Sequence, residues 1–433
     1  MTAELLELAA GSASEAEVYA TEVDRVGVEF RQNELYAQTT RLTQGWGVRV
    51  IAEGRVGFSS TTDAEGLNNV VRAALETARF GPTARFRLPG PAKLPRVNCL
   101  DNRVMLVTPA RMVEWGRDLI AAVRSRVPEI KLDLTFTRAY REVTIANTSG
   151  IEQSFARAEF DLGVTGLIVR DGLFWISDYV NLSGGQPLAL EPVADRLTAL
   201  ARQGRARARL ATGSYPVLVM PTALPNFLLP LEVATSGKLR EKKTTPLLGR
   251  EGEPVLDAKI TLVDNGTRNH GLASAPFDGE GVPKRRNVLF DKGRFLGFTY
   301  DLATAAACDA RTTGSAGRDY SSPPAPALAN VEIEPGTTRL EDALRSMTEG
   351  VVVYDVIGGG QSNLLAGEVA LNLACAFKVE SGAVVGRVKD AMIAGNVYDM
   401  FREIEAVGDS QQDLGSHFLP FVKFRSLNVA TRE

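Results

Sequence analysis

The chain has 433 residues, is 44% hydrophobic and 23% charged, and carries 49 Lys+Arg against 52 Asp+Glu for a net charge of −3. That length implies two or three domains with sizeable cores, and the composition excludes a disordered or fibrous chain. The near balance of charge excludes a general electrostatic pull toward nucleic acid or an anionic membrane surface.

In chain order, the first third reads as strand-rich. Val26, Val28 and Phe30 alternate with Gly27, Glu29 and Arg31, which puts the apolar side chains on one face of a strand. Gly45 to Ile51 followed by Glu53 to Phe58 reads as two strands joined by a glycine turn. Asp63 is placed to cap a helix running to about Phe80, with Val70, Val71, Ala74, Leu75 and Ala78 as its apolar stripe. Four prolines (Pro82, Pro89, Pro91 and Pro95) make 81–107 a long connection. Thr108 and Pro109 open a second helix that ends near Val127 and Pro128.

Residues 131–183 read as a β-meander with turns at Asn147 to Gly150 and Arg170 to Gly172. A third helix spans about Pro192 to Gln203. Beyond Gly213, apolar β-type runs (Val217 to Met220, Val351 to Tyr354, Ala383 to Val388) alternate with glycine-containing loops. The expected fold class is therefore α+β in two domains: an N-terminal α+β domain over 1–212 and a C-terminal, mostly β domain with a few helices over 213–433.

The chemistry-bearing residues are sparse. There are two histidines, His270 and His417, and no pair one helical turn apart as a helical zinc motif requires. There is no Gly-x-Ser-x-Gly elbow for a nucleophilic serine. Cys99, Cys308 and Cys375 are odd in number and lack metal-type spacing, which fits a reducing compartment; Cys308 and Cys375 read as small buried residues. The N-terminal stretch carries Glu4, Glu7 and Glu15 and no early basic residue, unlike a signal peptide, so a cytoplasmic protein is expected. Asp278 and Glu280 sit in a glycine-flanked loop that reads either as a tight turn or as a cation site. The run Gly358-Gly359-Gly360-Gln361-Ser362-Asn363 follows an apolar strand but lacks the end of a P-loop.

Several segments together resemble the TldD/PmbA family. They are Ala16-Glu17-Val18-Tyr19, Gly45 to Val50, Gly54 to Phe58, Phe277 to Pro283, Thr313 to Arg318, Ile393 to Val397 and Val407 to Asp409. The order and spacing of these landmarks over nearly the whole chain carry the resemblance. In the family, TldD-type members bind a catalytic zinc through an HExxxH helix early in the second domain and a cysteine near the C-terminus. The matching segments here, Pro221 to Gly237 and Asp413 to Pro420, contain no histidine and no cysteine respectively. Pro225 and Pro230 predict that this helix is interrupted.

The resemblance thus implies a PmbA/TldE-type subunit with no catalytic residue, metal or cofactor of its own, inactive alone. A TldD-type zinc peptidase subunit would be its partner, with zinc on that partner and peptides as substrates; a homodimer is the alternative open to the isolated chain. The family's older label, a modulator of DNA gyrase, finds no support in these residues. For peptide contact the expectation falls on two loops: Arg311, Thr312, Thr313, Gly314, Ser315 and Arg318, and Gly358, Gly359, Gly360 and Asn363. Small residues beside polar donors suit recognition of a peptide backbone. Two other readings stay open. One is an autonomous hydrolase using Asp278, Glu280 or His270; the other is a homodimeric peptide-binding protein without a catalytic partner.

Overall fold

The structure, a computed structural model, describes residues 1–358 and 362–432. The first part of the chain builds α1 (Thr2–Ala10), β1 (Glu15–Arg31), β2 (Glu34–Ala52), β3 (Arg55–Thr61), α2 (Leu67–Ala78), α3 (Asn102–Met105) and α4 (Pro109–Arg124). It continues through β4 (Lys131–Asn147), β5 (Glu152–Val169), β6 (Leu173–Asn181) and α5 (Leu190–Gln203). The six strands form one antiparallel sheet in the order β3-β2-β1-β4-β5-β6.

Its hairpins follow from local chemistry. Gln32-Asn33, Glu53-Gly54 and Asp171-Gly172 all take positive φ, as the two-residue turns that match strand twist require. One face of the sheet is apolar by alternation: Val26, Val28 and Phe30 of β1 and Phe160, Leu162 and Val164 of β5 pack with α4 and α5. Around Val18, Val48 and Val50, α1 and α2 seal a second apolar cluster.

Thr108 caps α4 through its side chain, as expected, with Pro109 in the first turn. Asp63 does not cap α2. Its carboxylate accepts from Glu65 N, and the helix starts after Gly66. A turn that uses the aspartate locally competes with the cap.

The remainder contains β7 (Gly213–Val219), α6 (Leu224–Ala234), α7 (Gly237–Glu241), β8 (Leu262–Asn265), β9 (Arg286–Asp291), β10 (Arg294–Phe295), α8 (Leu302–Ala307), β11 (Ala316–Gly317), β12 (Ala325–Pro326) and β13 (Val331–Ile333). After these come α9 (Leu340–Arg345), β14 (Glu349–Gly358), a 3-10 turn (Leu364–Ala366), β15 (Glu368–Glu380), β16 (Ala383–Arg387), β17 (Ala391–Asn396), α10 (Val397–Met400), β18 (Ile404–Val407), β19 (Gln412–Asp413), β20 (His417–Leu419) and β21 (Val422–Thr431). Strand pairings run β14-β7-β21-β17-β15 and return from β15 to β14, so five strands close a barrel. Closure leaves those strands no free edge. A second sheet, β10-β9-β8-β13-β20-β19, lies beside it.

Helix α6 is continuous, contrary to the expectation from its prolines. Pro225 occupies the first turn, where an N–H has no helical acceptor to lose. Pro230 lies inside, but Phe227, Leu228, Pro230 and Leu231 are all buried. Packing on both sides of the missing hydrogen bond holds the helix together.

The two parts share a core. Phe174 of β6 meets Phe377 of β15 edge-on at 6.1 Å, and one apolar cluster includes both.

Candidate functional site

The halves also meet across the second face of the first sheet, and there the chain buries charge. Glu17 on β1 and Arg49 on β2 lie inside apolar strand runs, and both side chains are almost wholly covered. Arg49 donates to Glu17 at 3.0 Å and to Glu280 at 2.6 Å. Arg318 donates to the other oxygen of Glu17 at 2.6 Å, with both side chains fully buried. Its guanidinium lies 4.7 Å from the centre of the Tyr19 ring. Burial opposes the charge on Arg49, yet Glu17 and Glu280 more than offset this and hold its pKa above the ordinary range.

Asp278 and Glu280, the acids of the glycine-flanked loop, are saturated. Asp278 accepts from the backbone N–H groups of Glu280, Val282 and Ala316 at 2.9–3.0 Å. Glu280 accepts from Arg49 and from Leu302 N. Burial pushes both carboxyls up, against these donors. His270 is held elsewhere, in a left-handed loop position whose N–H donates to Asn98 O. The geometry therefore makes Asp278 and Glu280 the floor of a loop rather than a water-activating pair.

Four of the landmark segments, around Glu17, Arg49, Glu280 and Arg318, thus converge on one network. For Glu17 and Arg49 the signal in the sequence is a charged residue inside an apolar strand run, which sequence reading passed over.

The expected peptide-contact residues fall in two separate places. Thr312 and Thr313 hydrogen-bond Tyr300 through their hydroxyls, and Ser315 donates to Asp264 at 3.2 Å. Gly314 has φ +69°, and a Cβ there would lie 2.4 Å from Pro283 O. Arg318 is spent in the buried network, while Arg311 is exposed. The second loop borders an open groove of about 890 Å³ along β15 and β17, lined in part by Gly358, Asn363, Glu368, Asn372 and Asn396. Asn363 caps the 3-10 turn. Gly359 and Gly360 lie outside the described residues.

The segments expected to correspond to the family's zinc-binding helix and C-terminal ligand do come together. His417 Nε2 on β20 is 3.0 Å from Glu232 Oε1 on α6. His417 Nδ1 is 3.3 Å from Ser416 Oγ. A catalytic zinc needs three protein ligands and an open fourth position. This place offers one imidazole and one carboxylate already bonded to each other. Among the described residues no group of three or more His, Cys, Asp and Glu side chains is arranged to hold a metal ion. The donor set does not fit zinc.

A closed five-stranded barrel joined to a long antiparallel sheet, with helix α6 and strand β20 brought together, defines a mixed α and β protein of two joined halves. The chain belongs to the PmbA/TldD family: residues 212–431 match the PmbA/TldA metallopeptidase C-terminal domain, and residues 16–78 match PmbA/TldA metallopeptidase domain 1. It is similar to metalloprotease PmbA of Escherichia coli O157:H7, 26% identical over 436 residues covering 96% of this chain and 94% of that protein. A metalloprotease TldD homolog of Haemophilus influenzae is 25% identical over 396 residues, covering 86% and 81%. The fold matches the crystal structure of TldE from Thermococcus kodakarensis with a TM-score of 0.90 at 23% identity, over 99% of each chain. No helix among the described residues is long and apolar enough to cross a membrane.

Proposed function

We propose that this chain is a zinc-free, PmbA/TldE-like subunit of a TldD-type metallopeptidase complex, inactive alone. The observation that carries this reading is the donor set where α6 meets β20: Glu232 and His417 satisfy each other, and no third ligand stands beside them among the described residues. In such a complex the TldD-type partner supplies zinc and the general base. This chain supplies a wall that excludes water and a surface that orients an extended peptide. The groove along β15 and β17, bordered by Gly358 and Asn363 and lined by Asn372 and Asn396, offers polar groups for that task.

The test is metal analysis and peptidase assay on the purified chain and on the chain co-expressed with a TldD-type subunit. The expected result is no stoichiometric zinc and no cleavage alone, and both on co-purification. Chelator-sensitive cleavage by the isolated chain would overturn the reading.

A further inference from the structure

A cavity of about 330 Å³ opens at the junction of the two halves, above the buried network. Its walls include four cationic side chains, Arg141 of β4, Arg157 of β5, Lys284 and Arg318, against two carboxylates, Asp278 and Asp319. The cations are unequally satisfied. Arg318 is paired with Glu17, and Arg157 with Glu159 at 2.7 Å. Among the described residues Arg141 and Lys284 make no ion pair: Lys284 Nζ donates to Ala273 O at 3.1 Å, and Arg141 Nε has no hydrogen-bond partner. Nε and Nη2 of Arg318 are likewise buried without partners.

The acids do not correct this imbalance. Asp278 is already saturated by three backbone N–H groups, and Asp319 is exposed at the rim. Asp264 and Asp278 favour the Lys284 ammonium through space without pairing with it, yet four cations still face two carboxylates on these walls, and an anion among them is favoured. Apolar side chains line the same cavity beside the cations: Phe155, Phe277, Leu272 and Leu328. Phe155 and Phe277 pack edge-to-face at 5.1 Å, so that wall is rigid.

We propose that this junction cavity binds a small organic carboxylate, such as the C-terminal residue of a short peptide, with its carboxylate toward Arg141 and Lys284 and its apolar part against Phe155 and Phe277. A guanidinium gives the planar donors a carboxylate matches, and the ammonium adds a point charge. The volume suits one or two residues rather than an extended chain, which separates this cavity from the longer groove along β15 and β17. The site holds whether or not the chain works beside a zinc subunit. Burial keeps the Lys284 ammonium below its ordinary pKa range, and a bound anion would raise it.

The experiment is calorimetric titration of the purified full chain with leucyl-phenylalanine as the free acid, with its C-terminal amide, and with inorganic phosphate. The free acid is expected to bind at least tenfold more tightly than the amide, with an affinity that falls as salt rises. Arg141→Gln should weaken the acid at least tenfold, and Arg141→Lys, which keeps the charge but loses the planar donors, should weaken it less. Equal binding of acid and amide, or no binding of the acid at millimolar concentration, overturns the proposal. So does phosphate binding more tightly than the dipeptide. The acid–amide comparison needs no variant, so it decides the matter even if Arg141→Gln does not fold.

Discussion

Two polar clusters in this chain have opposite characters. At the junction, Glu17, Arg49, Glu280 and Arg318 are sealed from solvent and link strands β1 and β2 to two loops far along the chain. On the other side, Glu232 and His417 form one hydrogen bond with side chains 15% and 22% exposed. The first cluster cannot lose a member without stranding a buried charge. The second can, because water reaches both partners. The difference teaches that position within the family's architecture does not set energetic weight. The Glu232–His417 contact is lightly held, whereas Glu17, Arg49, Glu280 and Arg318 fasten the two halves together.

The sharpest way to break this contrast is Arg49→Met, which leaves Glu17 and Glu280 buried without their shared partner. Unfolding in urea should show a loss of about 3–5 kcal/mol. A loss under about 1 kcal/mol would mean that the network is solvated in solution.

A second test uses a buried carboxylate that makes no ion pair among the described residues. Burial and the neighbouring Glu159 push Asp161 up to about 7, against the pull of Arg25. The folded state therefore holds a proton the unfolded chain releases near pH 4. The stability this contributes is fully present below that pH and is lost as pH rises through about 7. Asp161→Asn should flatten this slope and gain up to about 4 kcal/mol relative to the parent above pH 7. Parallel pH–stability curves for the two proteins would contradict it.

Gly314→Ala should cost about 1–3 kcal/mol, since its φ of +69° is strained for any other residue and its Cβ would press on Pro283 O. A thermal melt matching the parent would show that the Thr312 to Arg318 loop relaxes freely. The smallest effect is expected at the other cluster: Glu232→Gln should change stability by less than about 1 kcal/mol and leave zinc content unchanged. A loss as large as that of Arg49→Met would erase the distinction between the two clusters.

Much of the fold was legible before the structure. The Val26-Val28-Phe30 alternation, the Thr108-Pro109 helix start and the glycine turns at 53–54 and 171–172 each depend on chemistry within a few residues, and each stands as read. Helix α6 was misjudged because propensity counts the cost of Pro230 but not the packing of Phe227, Leu228 and Leu231 around it. The candidate site was legible only in part. Arg318 stood out from its loop, but its partner Glu17 lies 301 positions away, a separation that no local pattern bridges.

By itself the sequence determined the strand and helix periodicities, the lack of a closely spaced ligand set and the family's order of landmarks. All three are properties of neighbours along the chain. Only the tertiary structure decided that Asp278 and Glu280 are saturated supports, that Glu232 meets His417, and that Arg141 and Lys284 share one cavity without an ion pair among the described residues. The reason is physical: whether a charge is spent or available depends on what surrounds it in space, and chain closure over hundreds of residues sets those surroundings.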